Sequence, residues 1–155
     1  MTRLADIATE IRIDAPRERV WTVLSAEGLV GEWLGCLGYR AEIGTLFYMQ
    51  PDPAKRAAGD IAGATHCELL ELEPPERMRF SWFLPGTPKT EVEIVLTESG
   101  DGSTTARLAH RGWDRFEPEQ VRAIRDMLDR GWRSFVLPGL QRVAEAESGR
   151  RGESG

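Results

Sequence analysis

What most constrains the fold of this chain is the order of its segments: a short strand, an Ala-Pro turn into a Trp-bearing helix, a run of strands, and one long amphipathic helix at the end. Ile7, Thr9, Ile11 and Ile13 alternate with Ala8, Glu10 and Arg12, the period of a strand with one buried face. Asp14 breaks that strand. Pro16 then opens a helix, where its missing donor is not needed, and Val20, Trp21 and Leu24 give the helix an apolar stripe. A strand that hands straight to a helix, followed by strands alone until the last helix, predicts an α+β fold. The expected form is a curved antiparallel sheet of six or seven strands wrapped around the long C-terminal helix, with two short helices after the first strand. Such a shape commonly holds a cavity.

The strand count comes from hairpins. Tyr39 to Glu42 and Thr45 to Gln50 read as strands parted by Gly44, and His66 to Glu73 and Met78 to Leu84 flank Pro74-Pro75, whose missing donors force a reversal. Thr90 to Glu98 and Ser103 to Arg111 flank Gly100-Asp101-Gly102, a strong turn signal. The stretch 51–64 is rich in Pro, Gly and Ala and lacks periodicity, so it reads as a mobile connection or as a flap over a cavity mouth. From Pro118 to Ala146 the last helix carries Val121, Ile124, Leu128, Trp132, Phe135 and Leu140 at three- and four-residue steps. Pro138-Gly139 predicts a kink or break in it. Residues 1–146 form one domain on this reading, and the polar, Gly-rich 147–155 is a disordered tail.

Several segments, taken together, carry a family resemblance: DAP with RVW at Asp14 to Trp21, LVGEWLG from Leu29 to Gly35, ELLELEPPERMRFSW from Glu68 to Trp82, TEVEIVLTESGDGSTTARLAHRGW from Thr90 to Trp113, and GWRSFVLPGL in the last helix. The chain resembles the START-like superfamily with the helix-grip fold, also called SRPBCC. Within it, the chain is similar to the heat-shock-protein-90 ATPase-activator-like family. The resemblance spans almost the whole sequence. One departure is Ile43-Gly44, where many relatives carry a Gly-Gly pair.

Composition narrows the setting. A chain of 155 residues, 41% of them hydrophobic, buries roughly 70% of its unfolded surface and needs no metal or disulfide to fold. Cys36 and Cys67, far apart and outside any close-spaced motif, read as reduced, buried thiols of a cytoplasmic protein. The N-terminal residues lack the apolar core of a signal peptide, and no run approaches the roughly 20 apolar residues of a membrane span. With a net charge of −5 and no basic run beyond Arg150-Arg151, nucleic acid is not an expected partner.

Strand parity places Tyr48; His66, Glu68, Leu70 and Leu72; Met78, Phe80 and Trp82; Val92, Ile94 and Leu96; and Ala106, Leu108 and His110 on inner faces. Trp33, Trp132 and Phe135 join them from helices. These side chains either line a chamber for a hydrophobic or aromatic molecule or fill a solid core, and both readings stay open. The ligand set expected from the first reading is Trp33, Tyr48, His66, Glu68, Leu70, Phe80, Trp82, Ile94, Leu108, His110, Trp132 and Phe135. His66 and His110 are the only histidines; beside Glu68 an imidazole has the chemistry of a general base, but satisfied buried polar groups are the expectation. Two ligands on one strand with no third at a motif spacing do not make a metal site, so neither metal nor cofactor is expected. Ser81 and Ser134 lack a nucleophile-elbow context, and Glu91 and Glu93 share a face expected to be solvated.

Three functions follow. The resemblance and the apolar inner faces imply a noncatalytic domain that binds a small hydrophobic or aromatic ligand. A polyketide cyclase or dehydratase-type enzyme would use the same chamber. The family name implies a third, a chaperone or other protein partner; a homodimer also remains open.

Overall fold

The structure is a computed structural model that describes residues 6–27, 29–50 and 52–154, with side chains at all of these but 31, 32, 118, 120 and 147–154. Seven strands form one antiparallel sheet: β1 (Ile7–Ile13), β2 (Cys36–Leu37), β3 (Leu46–Met49), β4 (Thr65–Glu73), β5 (Arg77–Phe83), β6 (Thr90–Glu98) and β7 (Thr104–Arg111). Their spatial order is β1-β7-β6-β5-β4-β3-β2. Helices α1 (Arg17–Ser25) and α2 (Val30–Leu34) follow β1, as the sequence predicts. The curled sheet and the long C-terminal helix together make the helix-grip fold.

Three local features differ from the sequence reading. Tyr39 to Glu42 is not a strand; the edge strand is the two-residue β2, and Gly44 alone, at φ 90°, supplies the left-handed turn into β3. The aperiodic stretch contains a helix, α3 (Pro53–Ala58). Asp52 caps it by accepting from the N–H groups of Ala54 and Lys55 at 2.9 and 3.3 Å, Pro53 occupies the first turn, and Gly59 ends it in the left-handed region.

The third difference is in the last helix. It begins as α4 (Pro118–Gly131), widens into a π-type turn over Trp132–Val136, and continues as α5 (Leu137–Ser154) without a break. Pro138 has no N–H, and its ring crowds the carbonyl one turn back; the wide turn before it takes up both effects. One consequence is a shift of phase. After Trp132 the next fully buried residue is Leu137, five positions on, followed by Leu140 and Ala144, while Phe135 is 77% exposed. The helical backbone continues over the segment read as a polar tail, and Gly155 lies outside the described residues.

The outer edge of β1 is a row of backbone groups that could pair with another chain. Side chains of the long helix occupy it: Arg125 donates to the Asp6 carbonyl (3.3 Å), Arg133 to that of Ala8 (2.9 Å) and Gln141 to that of Arg12 (2.7 Å), and Glu145 accepts from the Asp14 N–H (2.9 Å). The longer edge is thereby covered, and the other edge is only two residues long.

Candidate functional site

The interior between sheet and helix is built in rows by strand register. One row runs Leu69–Phe80–Val92–His110–Ile7, a second Leu72–Met78–Ile94–Leu108–Thr9. Phe80, Ile94, Leu108, Trp33, Trp82 and Trp132 are all buried, as the sequence predicts for the inner face. Phe47 joins them from β3, edge-on to Phe80 at 5.4 Å and to Tyr39 at 5.5 Å.

His110 is the polar centre of this interior. The Thr90 hydroxyl uses its one hydrogen on the Trp82 carbonyl (2.8 Å), so its 2.7 Å contact with His110 Nε2 is a bond accepted from the ring. The other nitrogen, Nδ1, accepts from Trp132 Nε1–H at 3.2 Å. His110 is therefore the neutral Nε2–H tautomer with both nitrogens engaged. Protonation would set an Nδ1–H against the Trp132 N–H, and burial pushes the pKa down to about 3. Trp113 Nε1 donates to the His110 carbonyl (3.1 Å), and the rings of Trp82, Trp113 and Trp132 lie 5.4, 4.6 and 6.0 Å from the imidazole. Not every donor is so served. The buried Nε1 atoms of Trp33 and Trp82 have no hydrogen-bond partner.

Five expected ligand residues are placed elsewhere. A bulge between Leu69 and Glu71 resets the parity of β4: Cys67 and Leu69 face inward before it and Leu72 after it. His66 and Glu68 therefore fall on the outer face, and Leu70 is the half-buried extra residue of the bulge. On β3 the inward residue is Phe47, so Tyr48 lies outside with His66, 5.0 Å from it and edge-on. His66 also meets Phe83 at 5.7 Å, with Lys89 Nζ 4.9 Å from the centre of the Phe83 ring. Phe135 is turned to solvent by the π-type turn.

Sequence reasoning missed Phe47, Leu69, Thr90 and Trp113 as parts of the interior. Trp113 follows His110 by three residues, and a second large ring so close to the end of an inward-facing strand was a usable signal. Thr90 shares the inward parity of Val92, Ile94 and Leu96, but its contact with the imidazole had no signal, because only the pairing of β6 with β7 sets the two side by side.

The rest of the outer face is charged. Arg79 pairs with Glu91 at 3.0 Å, and Arg111 with Glu93 at 2.9 Å; the Arg111 hydrogen bond is the main reason the Glu93 carboxyl titrates below its usual value. A hollow of about 570 Å3 lies there over Ala8, Ala109 and Val95, rimmed by Arg107, Arg111 and Arg133. Both cysteines are free and buried, and burial raises Cys36 to about 12 and Cys67 well above its usual value, so both are thiols rather than thiolates. Among the described residues, no group of three or more His, Cys, Asp or Glu side chains is placed to hold a metal ion, and no helix is long and apolar enough to cross a membrane.

With this geometry in place, the comparisons are specific. Residues 14–145 match the family described as Activator of Hsp90 ATPase homolog 1-like protein. The solved structure of Bacillus halodurans protein BH1534 is 28% identical, with a TM-score of 0.70 over 94% of this chain and 100% of that one. CalU16 from Micromonospora echinospora is 25% identical, with a TM-score of 0.64 over 88% of this chain and 71% of its own. The Aha1 dimer of Colwellia psychrerythraea, at 18% identity and a TM-score of 0.66 over 92% and 97%, shares the fold. No curated protein sequence matches the chain.

Proposed function

Because the chain belongs to the Activator of Hsp90 ATPase homolog 1-like family, we propose that it is a noncatalytic binding domain for a small hydrophobic or aromatic molecule held between the sheet and the C-terminal helix. The observation that carries this reading is the pair of buried indole donors, Trp33 Nε1 and Trp82 Nε1, that have no acceptor in a largely apolar interior whose central polar network, around His110, is already engaged. A buried donor left unpaired costs about 1–3 kcal/mol, a cost that the acceptor of a bound guest would offset.

The same interior argues against acid–base chemistry. His110 is the one ionisable side chain on its polar network, and both of its nitrogens are committed. A cyclase or dehydratase-type enzyme would be marked by several polar side chains converging in the interior, and three of the four that the sequence offers, His66, Glu68 and Tyr48, lie on the other face of the sheet. Two free, protonated thiols also suit the cytoplasmic setting that we propose.

Native mass spectrometry of protein purified from its own host tests the reading. We expect one small apolar molecule per chain, released on denaturation and bound again on refolding. A clean apo mass, together with failure to take up any apolar aromatic compound, would sink it. A homodimer would be read in the same spectrum as a doubled mass.

A further inference from the structure

On the outer face of the sheet, away from the interior, we infer a second binding site: the hollow over Ala8, Ala109 and Val95 takes a small organic carboxylate with an apolar body, its acid group paired with Arg107. Strand register explains why a hollow is there. Ala8 of β1 lies opposite Ala109 of β7, which lies opposite Glu93 of β6; the neighbouring row is Glu10, Arg107 and Val95. Short side chains in the middle of a face whose other members are long leave about 570 Å3 open to solvent, within the roughly 300–1,000 Å3 of small-molecule sites. Arg107, Ala109 and Arg111 share one face of β7, so two guanidinium groups stand on either side of the alanine floor.

The charges decide what fits. Three arginines against two glutamates line the hollow, which leaves it formally at +1 on a chain whose net charge is −5. Most of these groups are engaged. Glu93, whose side chain is 15% exposed, accepts from Arg111 at 2.9 Å and from Arg77 at 3.5 Å. Arg133 donates to Asp129 (2.6 Å), to the Thr9 hydroxyl (3.2 Å) and to the Ala8 carbonyl (2.9 Å), and so forms a fixed wall on the β1 side. Arg107 is different. Its Nε lies 3.7 Å from a Glu10 oxygen, both side chains are more than half exposed, and it makes no hydrogen bond to any described residue. Its two terminal amino groups are free to take both oxygens of a carboxylate, while Glu10 can turn out into water at little cost. An ammonium group there would face three arginines. The floor beneath is methyl groups, and the backbone under it is used in pairing β1, β7 and β6, so the rest of the guest is apolar.

The test compares 2-naphthoate, 2-naphthamide and acetate on the intact protein, followed by 1H–15N spectra. We expect 2-naphthoate to bind about tenfold more tightly than the amide, the gain of one partly exposed charge-assisted pair, and acetate, which lacks the apolar body, to bind least. The backbone signals of Ala8, Val95 and Ala109 should move. Arg107→Gln should abolish the preference for the acid. Arg40→Gln, the same change of charge at an exposed position beyond β2, at the opposite edge of the sheet, should keep it. Ala109→Leu should fill the floor and weaken acid and amide alike. Equal affinity for acid and amide, equal weakening by the two arginine variants, or signal shifts confined to residues away from the hollow would overturn the assignment. So would the absence of any binding of 2-naphthoate at millimolar concentration.

Discussion

The chain's two histidines sit on opposite faces of one sheet. His110 is completely buried among Trp82, Trp113 and Trp132, with each ring nitrogen assigned a single role. His66 lies half-buried on the outer face, edge-on to Tyr48 and tilted against Phe83, and the residues around that row are ion-paired arginines and glutamates. The difference shows what burial does to the same side chain. Inside, a hydrogen bond is either made or costly, so the network around His110 is complete and rigid. Outside, water is an available partner, and contacts are numerous but individually weak.

That contrast breaks most visibly at Trp132. Trp132→Ala removes a fully buried ring and the donor to His110 Nδ1, and should cost about 3–5 kcal/mol in chemical denaturation. A loss under about 1 kcal/mol would mean that the helix does not press this face into the sheet.

A second test uses acid. In the folded state His110 is held neutral, with its pKa lowered from 6.5 to about 3, whereas the unfolded chain protonates it near 6.5. The stability it contributes is therefore fully present above pH 6.5 and declines as pH falls from there toward 3, by about 1.4 kcal/mol per pH unit. Glu93 and Asp101, whose pKa values are lowered from 4.5 and 3.8, begin to add their own losses only below about 4.5. Urea denaturation between pH 6.5 and 4.5 isolates the histidine, and a His110→Gln variant should show a flatter slope in that window. An unchanged slope would refute the neutral, closed network.

The smallest effect is expected outside. Arg107 and Glu10 are 3.7 Å apart with both side chains more than half exposed, so Arg107→Ala should change stability by less than about 1 kcal/mol. A larger loss would show that the outer hollow, which Arg107 helps to rim, is more tightly organised than its exposure suggests.

Where the sequence pattern was regular, it could be read. Met78, Phe80 and Trp82, Val92, Ile94 and Leu96, and Ala106, Leu108 and His110 all point inward as strict alternation requires. It failed where one residue was inserted into the rhythm. The bulge at Leu69/Glu71 reversed the faces of His66 and Glu68 and left Leu70 as its extra residue, and the π-type turn at Trp132–Val136 moved Phe135 to solvent. Helix α3 was legible and went unread: Asp52, Pro53 and Gly59 are start and stop signals at the correct spacing, obscured by the absence of any buried face on so short a helix.

The sequence by itself determined the segment order, the antiparallel hairpins, the long helix and the family, because these depend on local periodicity and turn chemistry that each segment carries alone. It did not determine which polar groups meet. Thr90, His110, Trp82 and Trp132 come from three strands and the long helix, and their chain of hydrogen bonds exists only once β5, β6 and β7 are in register and the helix lies across them. Whether a buried donor finds an acceptor is likewise decided by tertiary packing, since a hydrogen bond requires two groups within about 3 Å of each other and no local pattern specifies a partner that far along the chain.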